Sequence, residues 1–423
     1  MSTHRRLIHF ACAAVAVTAT GQAALTGQRS AADSAVGWVT AWSTSQQALG
    51  EASVTNATVR LIARVTVPGD AVRLRLDNTF GADAVRIGRA FVGLRVQGAQ
   101  IAAGSNRSVT FNRAVEVTLP PGASVSSDPV PLKVLAQQDL AVSLYLPGAA
   151  VRPSQHANAV VTSYRTADGA GDAAANEGRT PFATPVTSTW WLKAIDVQAA
   201  AASGTIVAFG DSITDGTCTT LDAHDRWVDL LSVRLGLEYE AARARPGAHP
   251  RLKAVVNEGI GGNTVTRDGL SPAPDSPPGL ERLERDVLSH TGVTDVILFM
   301  GTNDVRRDGS VEQIERGLAQ IVRQVKAKGL RIAGVTMIPR HNVAPSGTNT
   351  GWNAEKTRRR NEINQWIRTQ AGFDAVLDFD AAVRDPQNPD AMQPPFNCGD
   401  GIHPSPIGYN VLGRSIPLSV FTQ

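Results

Sequence analysis

No apolar run in this chain of 423 residues reaches the roughly 18 residues that a bilayer-spanning segment needs. Excess charge is missing too. Formal net charge is +3, and Arg5 and Arg6 fall in a segment expected to be removed. The remainder is near neutral and has no electrostatic footprint for nucleic acid. No internal repeat is present. With 42% hydrophobic and 19% charged residues, the composition indicates neither disorder nor a coiled coil. Cysteine is scarce: Cys12, Cys218 and Cys398 are all there are. Cys12 lacks the small-residue approach of a lipoprotein attachment site, so no lipid anchor is expected.

What is present begins with an export signal. Arg5 and Arg6 precede the short apolar stretch "LIHFACAAVAV" (7 to 17), and small residues surround "TGQAA" (20 to 24). Residues 1–33 are therefore expected to be a signal peptide and a disordered N-terminus, and the protein to be secreted. The paired arginines leave a twin-arginine route open beside the general one. Removal of Cys12 leaves two cysteines in an oxidising compartment, which suits one disulfide or, alternatively, two buried thiols.

From 37 to 197 the pattern is β. "TVRLIARVTV" (58 to 67) sets Val59, Leu61, Ala63, Val65 and Val67 on one face and Arg60 and Arg64 on the other. "VRLRL" (72 to 76), "FVGLRV" (91 to 96) and "LAVSLYL" (140 to 146) repeat the theme between Gly, Pro and Asp turns, which predicts an antiparallel sandwich. "ADGAGDAAANEG" (167 to 178) reads as a mobile low-complexity loop. "VQAAAASG" (197 to 204) is the connector, and a second domain is expected over 204–423.

There the rhythm changes. "TIVAF" (205 to 209), "VILFM" (296 to 300) and "RIAGVTMI" (331 to 338) are continuous apolar runs, as expected of strands buried on both faces. Helical patterns alternate with them. Over 311 to 326, Val311, Ile314, Leu318, Ile321, Val322 and Val325 share a face, with Ser310 and Gln313 as a capping box and Gly329 as the terminator. Residues 354 to 369 predict another helix. Alternating strands and helices predict a parallel sheet in a three-layer α/β domain.

In such sheets chemistry collects at the carboxyl ends of the strands. Four short stretches lie there: "GDSITDG" (210 to 216) with Ser212, "NEGIGGNT" (257 to 264) with Gly262, "GTND" (301 to 304) with Asn303, and "NCGDGIHPS" (397 to 405) with Asp400 and His403. Asp400 and His403, three residues apart, would share one side of a helical turn. A serine hydroxyl becomes nucleophilic when an imidazole takes its proton, and a carboxylate fixes that imidazole's tautomer. Ser212, His403 and Asp400 can fill these roles. The Ser212 and Gly262 N–H groups and the Asn303 amide can form an oxyanion hole. Taken singly, Ser212 also reads as a helix cap, Gly262 as a turn residue, Asn303 as a loop-stabilising amide and the Asp400/His403 pair as a surface contact.

As a set, the four blocks resemble those of the SGNH (GDSL) hydrolase family, over roughly half the chain. The resemblance implies a flavodoxin-like α/β/α fold and a metal-independent serine esterase without a cofactor. It implies Ser212 as nucleophile, Gly262 and Asn303 as oxyanion donors, and Asp400 and His403 as the remaining catalytic pair. Thr214 two residues after Ser212 departs from the G-x-S-x-G elbow, which argues against the α/β-hydrolase fold. More loosely, the sandwich resembles jelly-roll domains that precede the hydrolase domain in some carbohydrate esterases, so an acylated polysaccharide is the expected substrate. Broad aryl or lipid esterase activity is the alternative. A glycan-binding protein on a hydrolase scaffold is a second, and a metal-dependent phosphodiesterase using Asp211, Asp304 and Asp400 a more distant one.

Two loops, 271 to 279 and 340 to 352, are expected to shape the substrate pockets. Trp352 in the second reads equally as a platform for a sugar or aryl group and as loop packing. Trp190 and Trp191 read as core or interdomain contacts. Cys218 lies six residues beyond Ser212 and Cys398 two before Asp400, and this placement predicts a Cys218–Cys398 disulfide joining the nucleophile loop to the base loop.

Overall fold

The computed structural model describes residues 37–248, 250–347 and 349–422, and the expected signal with Arg5, Arg6 and Cys12 lies outside the described residues. None of the described helices is long and apolar enough to cross a membrane. The first half is antiparallel. One sheet orders Trp38–Ser43, Leu192–Gln198, Gly69–Asp77 and Ser124–Ser126, with Val130–Val134 also on Gly69–Asp77. The other centres on Ala57–Val65, Gln138–Leu146 and Arg89–Gln97, paired in long continuous register. Val59, Leu61, Ala63 and Val65 face the core between the sheets together with Leu74, Leu76, Val142 and Ile195, as the alternation predicts.

The opposite face of Ala57–Val65 departs from expectation. Arg60 is fully buried. Its guanidinium donates to Ser143 Oγ (2.8 Å) and to the carbonyls of Ala99 (2.7 Å), Asn176 and Gly178, and it stacks over Phe182. The loop expected to be mobile thus packs down on the sheet. Gly171 N–H donates to Asn56 O and Ala173 N–H to Thr58 Oγ1. A buried guanidinium needs acceptors, and a loop poor in side chains offers its backbone carbonyls.

The second half contains a five-stranded parallel sheet: β1 (Ala202–Gly210), β2 (Leu252–Gly259), β3 (Val293–Phe299), β4 (Arg331–Val335) and β5 (Ala375–Leu377), in the order β2-β1-β3-β4-β5. β1 starts two residues before the expected boundary at 204. This is the flavodoxin-like order, and the strand order reverses between β1 and β3. Alternate residues of each strand enter opposite layers. Val207, Phe209, Val296 and Leu298 join one apolar cluster with Ile314, Leu318, Ile321 and Val325 of a helix over Val311–Ala327. Ile206, Ala208, Ile297 and Phe299 join another with Trp227 and Leu231 of the helix Trp227–Arg243 and Tyr409 and Leu412 of the helix Pro406–Ser415. Burial on both faces is why these strands read as unbroken apolar runs.

The halves meet along a polar seam. Thr40 N–H donates to Thr291 O (2.9 Å), while Asp196 accepts from Thr40 Oγ1 and Thr291 Oγ1, each at 2.8 Å. Trp190 and Trp191 are buried in the sandwich core.

Candidate active site

β1 runs out at Gly210, and Asp211 caps a one-turn helix, Ser212–Asp215, by accepting from Ile213 N–H (3.0 Å). That turn lies directly on the end of β2, where a Cβ on Gly259 would come within 2.2 Å of Asp215 N. Only glycine permits this approach of the two backbones. The chain then turns through Gly262, whose φ of 71° is the left-handed conformation that favours glycine. At the end of β3, Gly301 starts the short helix Thr302–Arg306, which carries Asn303. The carboxyl ends of three adjacent strands therefore present Ser212, Gly262 and Asn303 at the switch point of the sheet.

His403 arrives from the loop before the last helix. Its Nε2 lies 2.9 Å from Ser212 Oγ and its Nδ1 2.5 Å from Asp400 Oδ2. Ser212 itself is largely buried, at 8% exposure. The pair is not on a helical turn, contrary to the spacing argument. Residues 397–404 form an irregular loop in which Asp400 Oδ1 accepts from the N–H groups of Ile402 and His403, both at 2.8 Å. Asn397 organises the loop. Its Oδ1 accepts from Gly399 and Gly401 N–H, and its Nδ2 donates to His403 O. Partial burial would raise the Asp400 pKa, but the His403 ring and these N–H groups outweigh it and hold the carboxyl well below the usual range. Asp400 is therefore a stable anion that orients Nδ1–H and leaves Nε2 facing Ser212.

Asn303 is 6% exposed and gives one amide hydrogen to Asn263 O (3.0 Å), which leaves the other for a ligand. Neither the Ser212 nor the Gly262 N–H has an acceptor among the described residues. Cys218 and Cys398 are joined in a disulfide, Cα–Cα 6.3 Å, between the segment after Ser212 and the His403 loop.

Trp352 does not stand open as a platform. It is 3% exposed, Arg340 lies 4.8 Å over its ring, and its Nε1 donates to Thr357 Oγ1 (2.9 Å). The aromatic ring packs within the loop and forms part of the wall of a hollow beside Asn342 and Thr350. Asp211 and Asp304 are also occupied by structure. Burial pushes the Asp211 pKa up to about 6, against the Ile213 N–H that lowers it. It pushes Asp304 up to about 7, against the Val265 and Thr266 N–H groups. With Asp400 they make no metal-binding cluster among the described residues.

The residues that brace this site are ones the sequence reading missed. Arg282, fully buried, donates to Gly210 O (2.8 Å), Glu258 O (2.9 Å), Asn263 Oδ1 (3.0 Å), Ser45 Oγ (2.8 Å) and Asp286 Oδ2 (3.3 Å). One side chain thus ties the strand before Ser212, the strand before Gly262 and the turn that receives Asn303. Glu258 in turn accepts from Ser45 Oγ (2.5 Å) and contacts His290 Nε2 (2.7 Å). "GLERLERD" (279 to 286) has the charge pattern of a solvated helix, so no local signal marks Arg282 as core.

Residues 208–411 match the GDSL-like Lipase/Acylhydrolase family. No curated protein matches the chain. Among solved structures, the chain is similar to a carbohydrate acetylesterase from Sinorhizobium meliloti, with 19% identity, TM-score 0.38, and coverage of 50% of this chain and 95% of that one. It is also similar to a GDSL-like lipase from Bacteroides thetaiotaomicron, with 18% identity, TM-score 0.34, and coverage of 52% and 88%. The second half of this protein, over residues 208–411, is a GDSL-like lipase/acylhydrolase domain.

Proposed function

We propose that the protein is an exported, metal-independent serine esterase that removes acetyl or similar small acyl groups from carbohydrate through an acyl-enzyme. The observation that carries the chemistry is the chain Ser212 Oγ–His403 Nε2–Asp400, at 2.9 Å and 2.5 Å. Ser212 Oγ attacks the ester carbonyl while His403 Nε2 takes its proton, and Asp400 stabilises the imidazolium that forms. The new oxyanion is met by the Ser212 and Gly262 N–H groups and the free Asn303 amide hydrogen. As the carbon–oxygen bond to the alcohol breaks, His403 returns the proton to the leaving oxygen. Water then enters by the same route, His403 again acts as base, and the carboxylic acid leaves Ser212.

The substrate reading rests on the sandwich-plus-hydrolase layout and on the 340–352 loop. His341 N–H donates to Gly401 O (2.8 Å), which fastens this loop to the base loop. An open hollow there sets the amides of Asn342 and Asn353 and the Thr350 hydroxyl, which suit sugar hydroxyls, among the apolar Val343, Ala344, Pro345 and Trp352.

A fluorophosphonate probe should label Ser212 in the native protein and fail on Ser212→Ala. Absence of labelling together with no turnover of p-nitrophenyl acetate refutes the esterase reading. Acetate release from acetylated xylan, compared with p-nitrophenyl esters of increasing chain length, tests the substrate. A strong preference for long chains would replace carbohydrate with lipid esters.

A further inference from the structure

Behind the nucleophile helix, the sandwich inserts one histidine into the hydrolase domain. His156 is 2% exposed and Asp215, the last residue of Ser212–Asp215, is 4% exposed. The ring's Nε2 lies 3.0 Å from Asp215 Oδ1 and 3.2 Å from Asn158 O, and its Nδ1 lies 2.9 Å from Ser45 O. Every one of these partners is an acceptor: two backbone carbonyls and a carboxylate. A neutral imidazole has one nitrogen without a hydrogen, and here that lone pair would face an acceptor whichever tautomer formed. The environment therefore calls for both nitrogens protonated.

Asp215 passes this constraint on. Its other oxygen, Oδ2, accepts from Gly261 N–H at 3.0 Å. The next N–H along the chain, that of Gly262, is the oxyanion donor of the proposed mechanism. One carboxylate thus joins the helix that carries Ser212 to the turn that carries Gly262, and its partner is a side chain from the other domain. We infer that His156 is a positioning residue of the esterase site, supplied by the sandwich, whose doubly protonated ring holds Asp215 and so keeps nucleophile and oxyanion donor in register. The sandwich then has a role in the reaction apart from any binding of polymer.

The groups facing the ring set its charge. Asp215 favours the proton, and Arg226, which donates to Ala159 O beside it, opposes it. Arg64, His224 and Asp229 line the same interdomain cavity. Burial works against the charged ring, but the Asp215 charge and hydrogen bond, with the Ser45 carbonyl, raise the His156 pKa above its ordinary value. The sign follows: the ion pair is intact below that raised pKa and is lost as pH rises through it. Activity requires His156 with both ring nitrogens protonated, so kcat should fall on the alkaline side.

The inference rests on the serine-esterase reading, and its test separates the two. The full-length protein, His156→Ala, His156→Gln and Thr40→Val are compared on p-nitrophenyl acetate for kcat, KM and thermal midpoint from mildly acidic to alkaline pH. Thr40 lies on the same interdomain seam but bonds Asp196 and Thr291, so its substitution controls for loss of interface stability. H156A should lower kcat by at least about tenfold, with KM within about threefold. H156Q offers a neutral donor and should keep part of the rate while losing the alkaline limb. T40V should lower the midpoint and leave kcat within about twofold.

Folded H156A with wild-type kcat, an alkaline limb that survives in H156Q, or a T40V loss of kcat equal to that of H156A would each overturn the inference. An independent arm needs no turnover. In protein labelled with ¹⁵N-histidine, two ring N–H signals absent from H156Q should appear at neutral pH, and a single one would refute the doubly protonated ring. If the wild type neither turns over ester nor labels at Ser212, the esterase reading fails, whatever that spectrum shows.

Discussion

Replacing Arg282 with methionine should damage both stability and catalysis although the side chain touches no substrate atom. The substitution keeps an unbranched chain but removes the donors to Gly210 O, Glu258 O, Asn263 Oδ1, Ser45 Oγ and Asp286. Burial lowers the Arg282 pKa to about 10, which still leaves it charged at neutral pH. Breaking a buried ion pair by deleting one partner costs about 3–5 kcal/mol, mostly because the other charge is stranded. Here Asp286 keeps Arg285 at 2.7 Å and Lys193 at 3.4 Å. No carboxylate is orphaned, and the loss should sit at the low end, about 3 kcal/mol. The cost arises from acceptors left with weaker partners, at about 1–3 kcal/mol for each buried group truly unsatisfied. Chemical unfolding of R282M should show a lower midpoint, and kcat on p-nitrophenyl acetate should drop because the Ser212 strand and the Asn263 turn lose their common tie. Arg282→Lys keeps the charge without the planar fork and should fall between. An R282M protein within about 1 kcal/mol of wild type, with unchanged kcat, would refute the view that this guanidinium braces the site.

Asn303→Ala should lower kcat by about 10²–10³ with little change in KM, since the amide acts on the oxyanion and not on the ground-state ester; steady-state kinetics checks this. Replacing Cys218 and Cys398 with serine releases a loop of 180 residues, which by chain entropy should cost up to about 5 kcal/mol, read from the unfolding midpoint with and without reductant. Asp211, with its pKa raised to about 6, binds its proton more tightly folded than unfolded. Its contribution therefore makes unfolding easier as pH rises from about 4 to 6, by about 3 kcal/mol in all. Asp211→Asn should flatten that part of the stability profile, and an unchanged slope would count against burial as the cause.

Several elements were legible from local pattern. Residues 354 to 369 form the helix Ala354–Thr369 as the sequence reading has it, and Ser310 caps Val311–Ala327 by accepting from Gln313 N–H. Continuous apolar runs mark the parallel strands, and Ser212 and Asn303 follow directly on their carboxyl ends, whereas His403 comes from the loop before the last helix. Other features had no local signal. Arg60 and Arg282 look like surface cations in sequence, since nothing within their own segments says that loop carbonyls or a second domain will cover them. Trp352 reads equally as platform and as packing in sequence, and only the fold places Arg340 over its ring.

The division has a physical basis. Periodicity, caps and turn glycines are short-range effects, settled within a few residues, so the sequence by itself determined two architectures and a set of strand-end groups. Distances across the site are another matter. The 2.9 Å contact between His403 and Ser212 spans 191 residues, and the Asp400 loop that aims the ring is irregular, with no period to read. His156 reaches Asp215 from the other domain, across an interface that exists only when both cores have packed. Which polar groups face one another in that seam, and so which protons they hold, was decided by the tertiary structure, because burial and opposing charge are properties of the assembled environment and not of any segment of chain.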